Sequence, residues 1–173
     1  ATGHGLAAGL MVMPVADLFY ALTARDERIE TIALKLNIRL HDLLPTGRFV
    51  AAVLVSVRPD IGRVEVWNGG CPPVYCVDGS GGIKNKFPSR HLPLGVLPEI
   101  VEICVETLEY DPLNPEKLYL FSDGVPDAES RDNAEQFSLE HVENSLASAS
   151  NDRLRDLATA LEKHVGSRSA QDD

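Results

Sequence analysis

The chain has 173 residues, 44% of them hydrophobic, enough for one well-cored domain and short for two. A formal net charge of −10 argues against a nucleic-acid-binding surface, and an acidic protein that handles a phosphorylated substrate would need metal ions to offset the repulsion. The three cysteines, Cys71, Cys76 and Cys104, are odd in number and lack zinc-ligand spacing, which fits a reducing cytoplasm better than a disulfide framework. No secretory signal, repeat or membrane-length apolar run is visible in the sequence.

In chain order, Ala1-Thr2-Gly3-His4-Gly5 is a glycine-rich opening that leads into a helical pattern from Leu6 to about Ala24. That helix is apolar nearly all round, so burial against a sheet is expected, with Pro14 as a kink or interruption. Asp26 to about Leu44 reads as a second, amphipathic helix with Ile29, Ile32, Ala33, Leu36, Leu40 and Leu43 on one side, and Pro45-Thr46-Gly47 ends it. The middle of the chain is β: Phe49–Val57, a turn at Pro59-Asp60-Ile61-Gly62, Arg63–Trp67, Val74–Val77, a hairpin loop at Asp78–Gly82, and Ile83–Phe87. Ile100–Tyr110 alternates well enough for a further strand, and Leu118–Val125 follows a turn as a compact apolar strand that ends on Asp123-Gly124. After Asp127 the pattern returns to helix. Ser138 is expected to cap one helix that runs to Ala149, and Asn151 or Asp152 another that runs through Val165. Two helices, a run of antiparallel strands and further helices make an α+β fold, and a doubly wound arrangement would need strands and helices in alternation.

Four stretches invite a chemical reading. Asp123 at a strand end would be held rigidly, and Gly124 lets backbone pass close to whatever Asp123 binds; Asp-Gly is equally a common turn dipeptide. Thr2-Gly3-His4-Gly5 at a helix start could hold a phosphate or a metal-bound water, or simply cap the helix. Asp172-Asp173 is either an acidic tail or a carboxylate at the start of a further strand, and carboxylates gathered from distant strand ends suit hard cations. Asn68-Gly69-Gly70-Cys71-Pro72-Pro73 is strongly turn-forming and reads first as a loop that ends a hairpin. The histidines His41, His141 and His164 lie on helices without helically spaced partners and read as solvated, and His91 reads as a surface residue. With no initiator Met before Ala1, and with Asp172-Asp173 at the other end, both ends read as cut within a motif, and a longer parent protein is expected.

Taken in order, these stretches resemble the bacterial sporulation and stress-response branch of the protein phosphatase 2C superfamily. Ala1 to Ala8 is similar to that family's Asp-x-x-Gly-His-Gly-x-x-Ala segment without its leading Asp. Asn68 to Pro73 resembles its Asn-Ala-Gly-His-x-Pro turn, Pro93-Leu94-Gly95-Val96 its Pro-Leu-Gly stretch, and Tyr119 to Ala128 its Asp-Gly strand; Asp172-Asp173 falls where the family has an acidic pair before its last strand. Cys71 stands where His is usual and Asp127 where Glu is commoner, and Gln136-Phe137-Ser138 lacks the glycine usual near there.

The resemblance implies two antiparallel sheets packed together and flanked by helices, as a single phosphatase-like domain over residues 1–173 that lacks its first strands and its last. It implies two Mn²⁺ or Mg²⁺ ions that activate a water for in-line attack on phosphoserine or phosphothreonine. Asp123, Asp172 and the backbone carbonyl of Ala1 would be ligands, with further ligands upstream, and His4 would lie near the phosphate or a metal-bound water. Metal binding by this piece alone is then expected to be weak or absent. The function implied is the output module of a bacterial signalling protein, cytoplasmic, acting on a phosphorylated regulator such as an anti-sigma-factor antagonist. An upstream receiver or sensor domain and a homodimer are further expectations, with neither nucleic acid nor membrane as partner. The alternative is an inactive phosphatase-like adaptor that binds a sigma factor or its regulator.

Overall fold

The computed structural model describes residues 6–111, 113, 116–130, 134–148 and 152–166. The chain divides into two compact units, Ala1–Pro73 with Phe87–Leu113 and Val74–Lys86 with Asn114–Asp173. Among the described residues, four helices and two three-stranded antiparallel sheets make up the α+β fold.

In the first unit, α1 (Leu6–Thr23) runs through Pro14 without a break and is followed by α2 (Ile29–Leu43). Met13 and Tyr20 of α1 are largely exposed while Val15 and Leu22 are buried, so the burial expected of this apolar helix involves only part of its surface. Apolar content tells which residues can be buried, and the packing area available tells which ones are. Asp26 does not start α2: it takes φ +53° in the preceding turn, and the helix begins after Arg28. The buried face of α2 is Ile29, Ile32, Ala33, Leu36, Asn37 and Leu40, the i, i+3, i+4 stripe of an amphipathic helix, whereas Leu43 is exposed.

That stripe packs with Trp67, Leu94, Ala52 and Leu54 into the unit's core. The sheet order is β1 (Ala52–Arg58), β2 (Arg63–Gly69), β5 (Glu106–Glu109). The β1–β2 hairpin registers Leu54 against Trp67 and Arg58 against Arg63 around the turn foreseen at residues 59–62. Of the alternating stretch Ile100–Tyr110, only Glu106–Glu109 becomes strand, because only these residues find partners, on Val66 back to Arg63. Val50 joins the unit through an isolated bridge to Leu94 rather than by extending β1.

The strands of the second unit, β3 (Val74–Val77) and β4 (Ile83–Phe87, its last residue counted with the first unit), have the bounds expected from the sequence, and the sheet order is β4, β3, β6 (Lys117–Tyr119). Asp78 closes the loop between β3 and β4: its carboxylate accepts from the Ser80 amide at 2.8 Å, the Ser80 hydroxyl at 2.6 Å and the Gly82 amide at 2.9 Å. These bonds, the Ser80 hydroxyl first, hold the carboxyl down to about 2. Tyr75, Val77, Tyr119, Phe137, Val142, Leu146 and Leu157 form the core with α3 (Ser138–Leu146) and α4 (Arg153–Val165). Asp152 caps α4 by accepting from the Arg155 amide at 3.2 Å.

The expected return to helix after Asp127 comes with α3 and α4, after a non-helical stretch. Glu129 bridges Gln136, and the Phe137 amide donates to Ala128 O at 2.8 Å, so Ala128–Ser130 pairs with Glu135–Phe137. Ser138 is the first residue of α3, but the N-cap position falls on Phe137 rather than Ser138, with no side-chain cap bond, and the helix stops at Leu146 rather than Ala149.

Candidate functional site

Asp123 is the one predicted metal ligand among the described residues; Ala1, His4 and Asp172, with the Thr2-Gly3-His4-Gly5 opening, lie outside them. β6 carries the chain in: Tyr119 is buried opposite Tyr75, and Phe121 stacks on Tyr75 with ring centroids 5.9 Å apart. The strand proper ends at Tyr119, two residues short of Phe121, because only Lys117–Tyr119 have partners on β3.

The chain then turns within Ser122–Asp127. Val125 donates its amide to Ser122 O at 3.2 Å and Asp127 to Asp123 O at 3.0 Å. Pro126 is buried in this turn, and Val125 and Ala128 pack against the unit's core. The Asp123 side chain is exposed, and among the described residues its carboxylate accepts no hydrogen bond. Gly124 does not take a positive φ, and a Cβ placed on it would meet only Ser122 Oγ at 3.5 Å. The turn itself therefore does not require glycine, and the space beside Asp123 stays open.

An unengaged aspartate next to open backbone is a suitable oxygen donor for a hard divalent cation. It is a single donor. Among the described residues no cluster of three or more His, Cys, Asp or Glu side chains could hold a metal ion, so Asp123 fits as one ligand of a larger set.

Two other motifs meet in the first unit. Asn68, buried at the end of β2, donates from Nδ2 to Pro72 O at 3.0 Å and Phe87 O at 3.2 Å, and its Oδ1 accepts from the Cys71 amide at 3.1 Å. The loop it organises ends the β1–β2 hairpin, as expected, and leads on to a strand of the other sheet. Gly70 takes φ +83° and lies so close to Pro93 that a Cβ would sit 2.4 Å from its ring, a contact only glycine allows. The Asn68–Pro73 turn and the Pro-Leu-Gly segment are thus brought together.

His91 is half-buried and fully engaged, not a free surface residue. Its Nδ1 faces Asn68 O at 3.3 Å, Nε2 accepts from the Cys104 amide at 2.9 Å, and the ring stacks on Trp67. The other histidines expected to be solvated also have partners: His41 faces Gly95 O at 3.1 Å, and His141 and His164 both contact the Phe137 ring, at centroid distances of 5.2 and 5.3 Å. The partners of His41 and His164 come from other elements, whereas His141 meets Phe137 and Ser138 at helical spacing, four and three residues earlier.

Residues without a motif also shape these segments. Asn37, on the buried face of α2, accepts from the Gly95 amide and donates to Leu97 O and Pro98 O. Its one signal in the sequence is an amide amid an apolar stripe. Glu143 accepts from the Tyr75 hydroxyl at 3.0 Å and from Lys86 Nζ at 2.6 Å. Cys76 is buried on β3 and its thiol donates to Glu116 at 2.8 Å; burial first, then this carboxylate, pushes it up to about 12, so it is not a nucleophile.

The model of the Stage II sporulation protein E (SpoIIE) family matches residues 1–173. The chain belongs to the SpoIIE family. No curated protein matches this SpoIIE-family chain. Its fold is similar to that of the SiaA-PP2C domain of Pseudomonas aeruginosa, with a TM-score of 0.77 at 18% identity over 99% of this chain and 69% of that one. The SpoIIE-family domain thus has the protein phosphatase 2C type of fold. None of its described helices is long and apolar enough to cross a membrane.

Proposed function

We propose that this domain is a Mn²⁺- or Mg²⁺-dependent protein serine/threonine phosphatase. We propose further that it is the output module of a bacterial signalling protein, and that its substrate is a phosphorylated regulatory protein such as an anti-sigma-factor antagonist. The observation that carries this reading is Asp123: an exposed carboxylate, unengaged among the described residues, in the turn that follows core strand β6 and within the stretch that resembles the family's Asp-Gly segment. An adaptor that had given up catalysis would have no need to keep an unpartnered carboxylate there.

Asp123 would hold the cation, with Asp172 as a second oxygen donor. A bound divalent cation supplies charge neutralisation and a more acidic water to phosphoryl transfer. The chain's own contribution is positional. Asp123 and Asp127 are locked together through the backbone, and Gly124 leaves the approach clear. The net charge of −10 gives such a cation a second task, because a phosphorylated protein would otherwise be repelled.

The test is Mn²⁺-dependent release of phosphate from a phosphoserine protein by the full-length protein that carries this domain. Asp123→Asn keeps the shape and removes the charge, and turnover should fall by about 100-fold or more. Turnover in Asp123→Asn equal to that of the parent would remove Asp123 from the chemistry. A parent without turnover that still binds a sigma factor or its regulator equally well with Asp123→Asn would establish the adaptor.

A further inference from the structure

Ser138 takes φ +63°, a left-handed conformation that residues with a Cβ avoid and that a glycine would adopt freely. It sits in the Gln136-Phe137-Ser138 stretch, where the sequence has no glycine. Helix capping does not explain the conformation, because the N-cap position of α3 is Phe137, and the Ser138 hydroxyl meets His141 Nδ1 at 3.1 Å. What the conformation does achieve is to direct the Ser138 amide at Pro126 O, 2.8 Å away.

Pro126 lies in the turn that carries Asp123. One residue earlier, the Phe137 amide donates to Ala128 O at 2.8 Å, and the Phe137 ring is buried in the core. The turn is therefore held from two sides. β6 fixes its entry, and the pair Phe137-Ser138 fixes its exit through two short backbone bonds. Val125 and Ala128, packed against the same core as Phe137, leave the turn little freedom to shift.

From this geometry we infer that Ser138 is a positioning residue for Asp123: its left-handed backbone clamps the Pro126 carbonyl and so sets where the Asp123 carboxylate presents itself to a divalent cation. The inference rests on the reading of Asp123 as a metal ligand. It differs from a purely structural role in one respect. Loosening the clamp should change how well a cation is held before it changes whether the unit folds.

The experiment compares Ser138→Gly, Ser138→Ala and Ser138→Val in the full-length protein, with Asp123→Asn as the reference. Two quantities are read: the Mn²⁺ concentration that half-saturates the protein, followed by the spin resonance of free Mn²⁺, and amide exchange at Val125 and Asp127. Ser138→Val, whose branched side chain opposes a left-handed backbone, should raise half-saturation roughly tenfold, as loss of an outer support of a metal ligand does, and speed exchange at Asp127. Ser138→Gly keeps the amide and the conformation, so both readings should stay within about twofold of the parent.

A folded Ser138→Val protein with the parent's half-saturation and exchange overturns the inference. So does Ser138→Ala shifting as far as Ser138→Val, since that would assign the effect to the lost hydroxyl contact with His141. Should Ser138→Val fail to fold, Ser138→Gly decides: an Asp127 amide less protected than in the parent overturns the clamp, and equal or better protection supports it. If Asp123→Asn itself leaves half-saturation unchanged, it is the metal-ligand reading that fails. If Asp123→Asn weakens binding and the Ser138 series does not, only the positioning role fails.

Discussion

Replacing Asn37 tests how the first unit holds its Pro-Leu-Gly segment. Asn37 is 2% exposed and makes three hydrogen bonds, to Gly95 N at 2.9 Å, Leu97 O at 3.0 Å and Pro98 O at 3.3 Å. Each such bond contributes about 1 kcal/mol net, so Asn37→Ala should cost about 3 kcal/mol, or nearer 2 if water reaches the freed carbonyls of exposed Leu97 and Pro98. The Gly95 amide is buried and has no such relief.

Asn37→Asp sharpens the prediction. The new carboxyl could still accept from Gly95, but it would face two carbonyl oxygens with nothing to donate unless it kept its proton. Its folded pKa would therefore rise above the unfolded value of about 3.9, and the folded state would bind more protons than the unfolded one between those values. Stability must then fall as pH rises through that window, and below it the penalty disappears. Urea unfolding of both variants at about pH 5 and about pH 8, each compared with the parent at the same pH, separates the two. The fluorescence of Trp67, the one tryptophan, reports on the core that α2 shares. The Asn37→Ala loss should be nearly independent of pH, and the Asn37→Asp loss should be larger at the higher pH. A loss below about 1 kcal/mol for Asn37→Ala, or two variants that track each other at both pH values, would refute this account of Asn37.

Two further outcomes are expected. Gly124→Ala should leave thermal stability unchanged or raise it by up to about 1 kcal/mol, because its Cβ meets only Ser122 Oγ at 3.5 Å, while phosphatase turnover drops; an unaffected turnover would mean that no ligand approaches that backbone. Lys86 first, through its hydrogen bond, and then Tyr75 hold the Glu143 carboxyl below its usual range. The stability this provides is present above the unfolded carboxyl value and lost as pH falls through the lower folded one. Glu143→Gln should therefore flatten the acid limb of a stability–pH curve, by no more than about 1 kcal/mol since Lys86 and Glu143 are both partly exposed, and an unaltered limb would remove the pair from the acid response.

Local chemistry was enough to locate much of this fold. β3 and β4 were legible to the residue because Asp78–Gly82 is a turn in any context and the flanking residues favour strand. The α2 stripe was legible for the same kind of reason, since a period of 3.6 is a property of the helix itself. Asp123 stood out as a carboxylate placed at the end of an apolar run and followed by glycine. The motifs in their order also identified the family, because that order is a property of the chain and not of its folding.

Other features depend on partners distant in sequence, and there the tertiary structure decided. Ile100–Tyr110 alternates throughout, yet only Glu106–Glu109 is strand, because a strand exists only where another lies beside it. His91 looked free because its partners, Asn68 and Cys104, lie 23 and 13 positions away. Asn37 looked like an interruption of an apolar face until the loop it satisfies came 58 positions later to meet it. Before α3 the core closes around Phe137, and Ser138 turns left-handed where the chain meets Pro126 and enters α3. Sequence by itself set the periods, the turns and the order of the motifs; pairing, burial and the clamp on the Asp123 turn are non-local, and they exist only once the chain has brought those residues together.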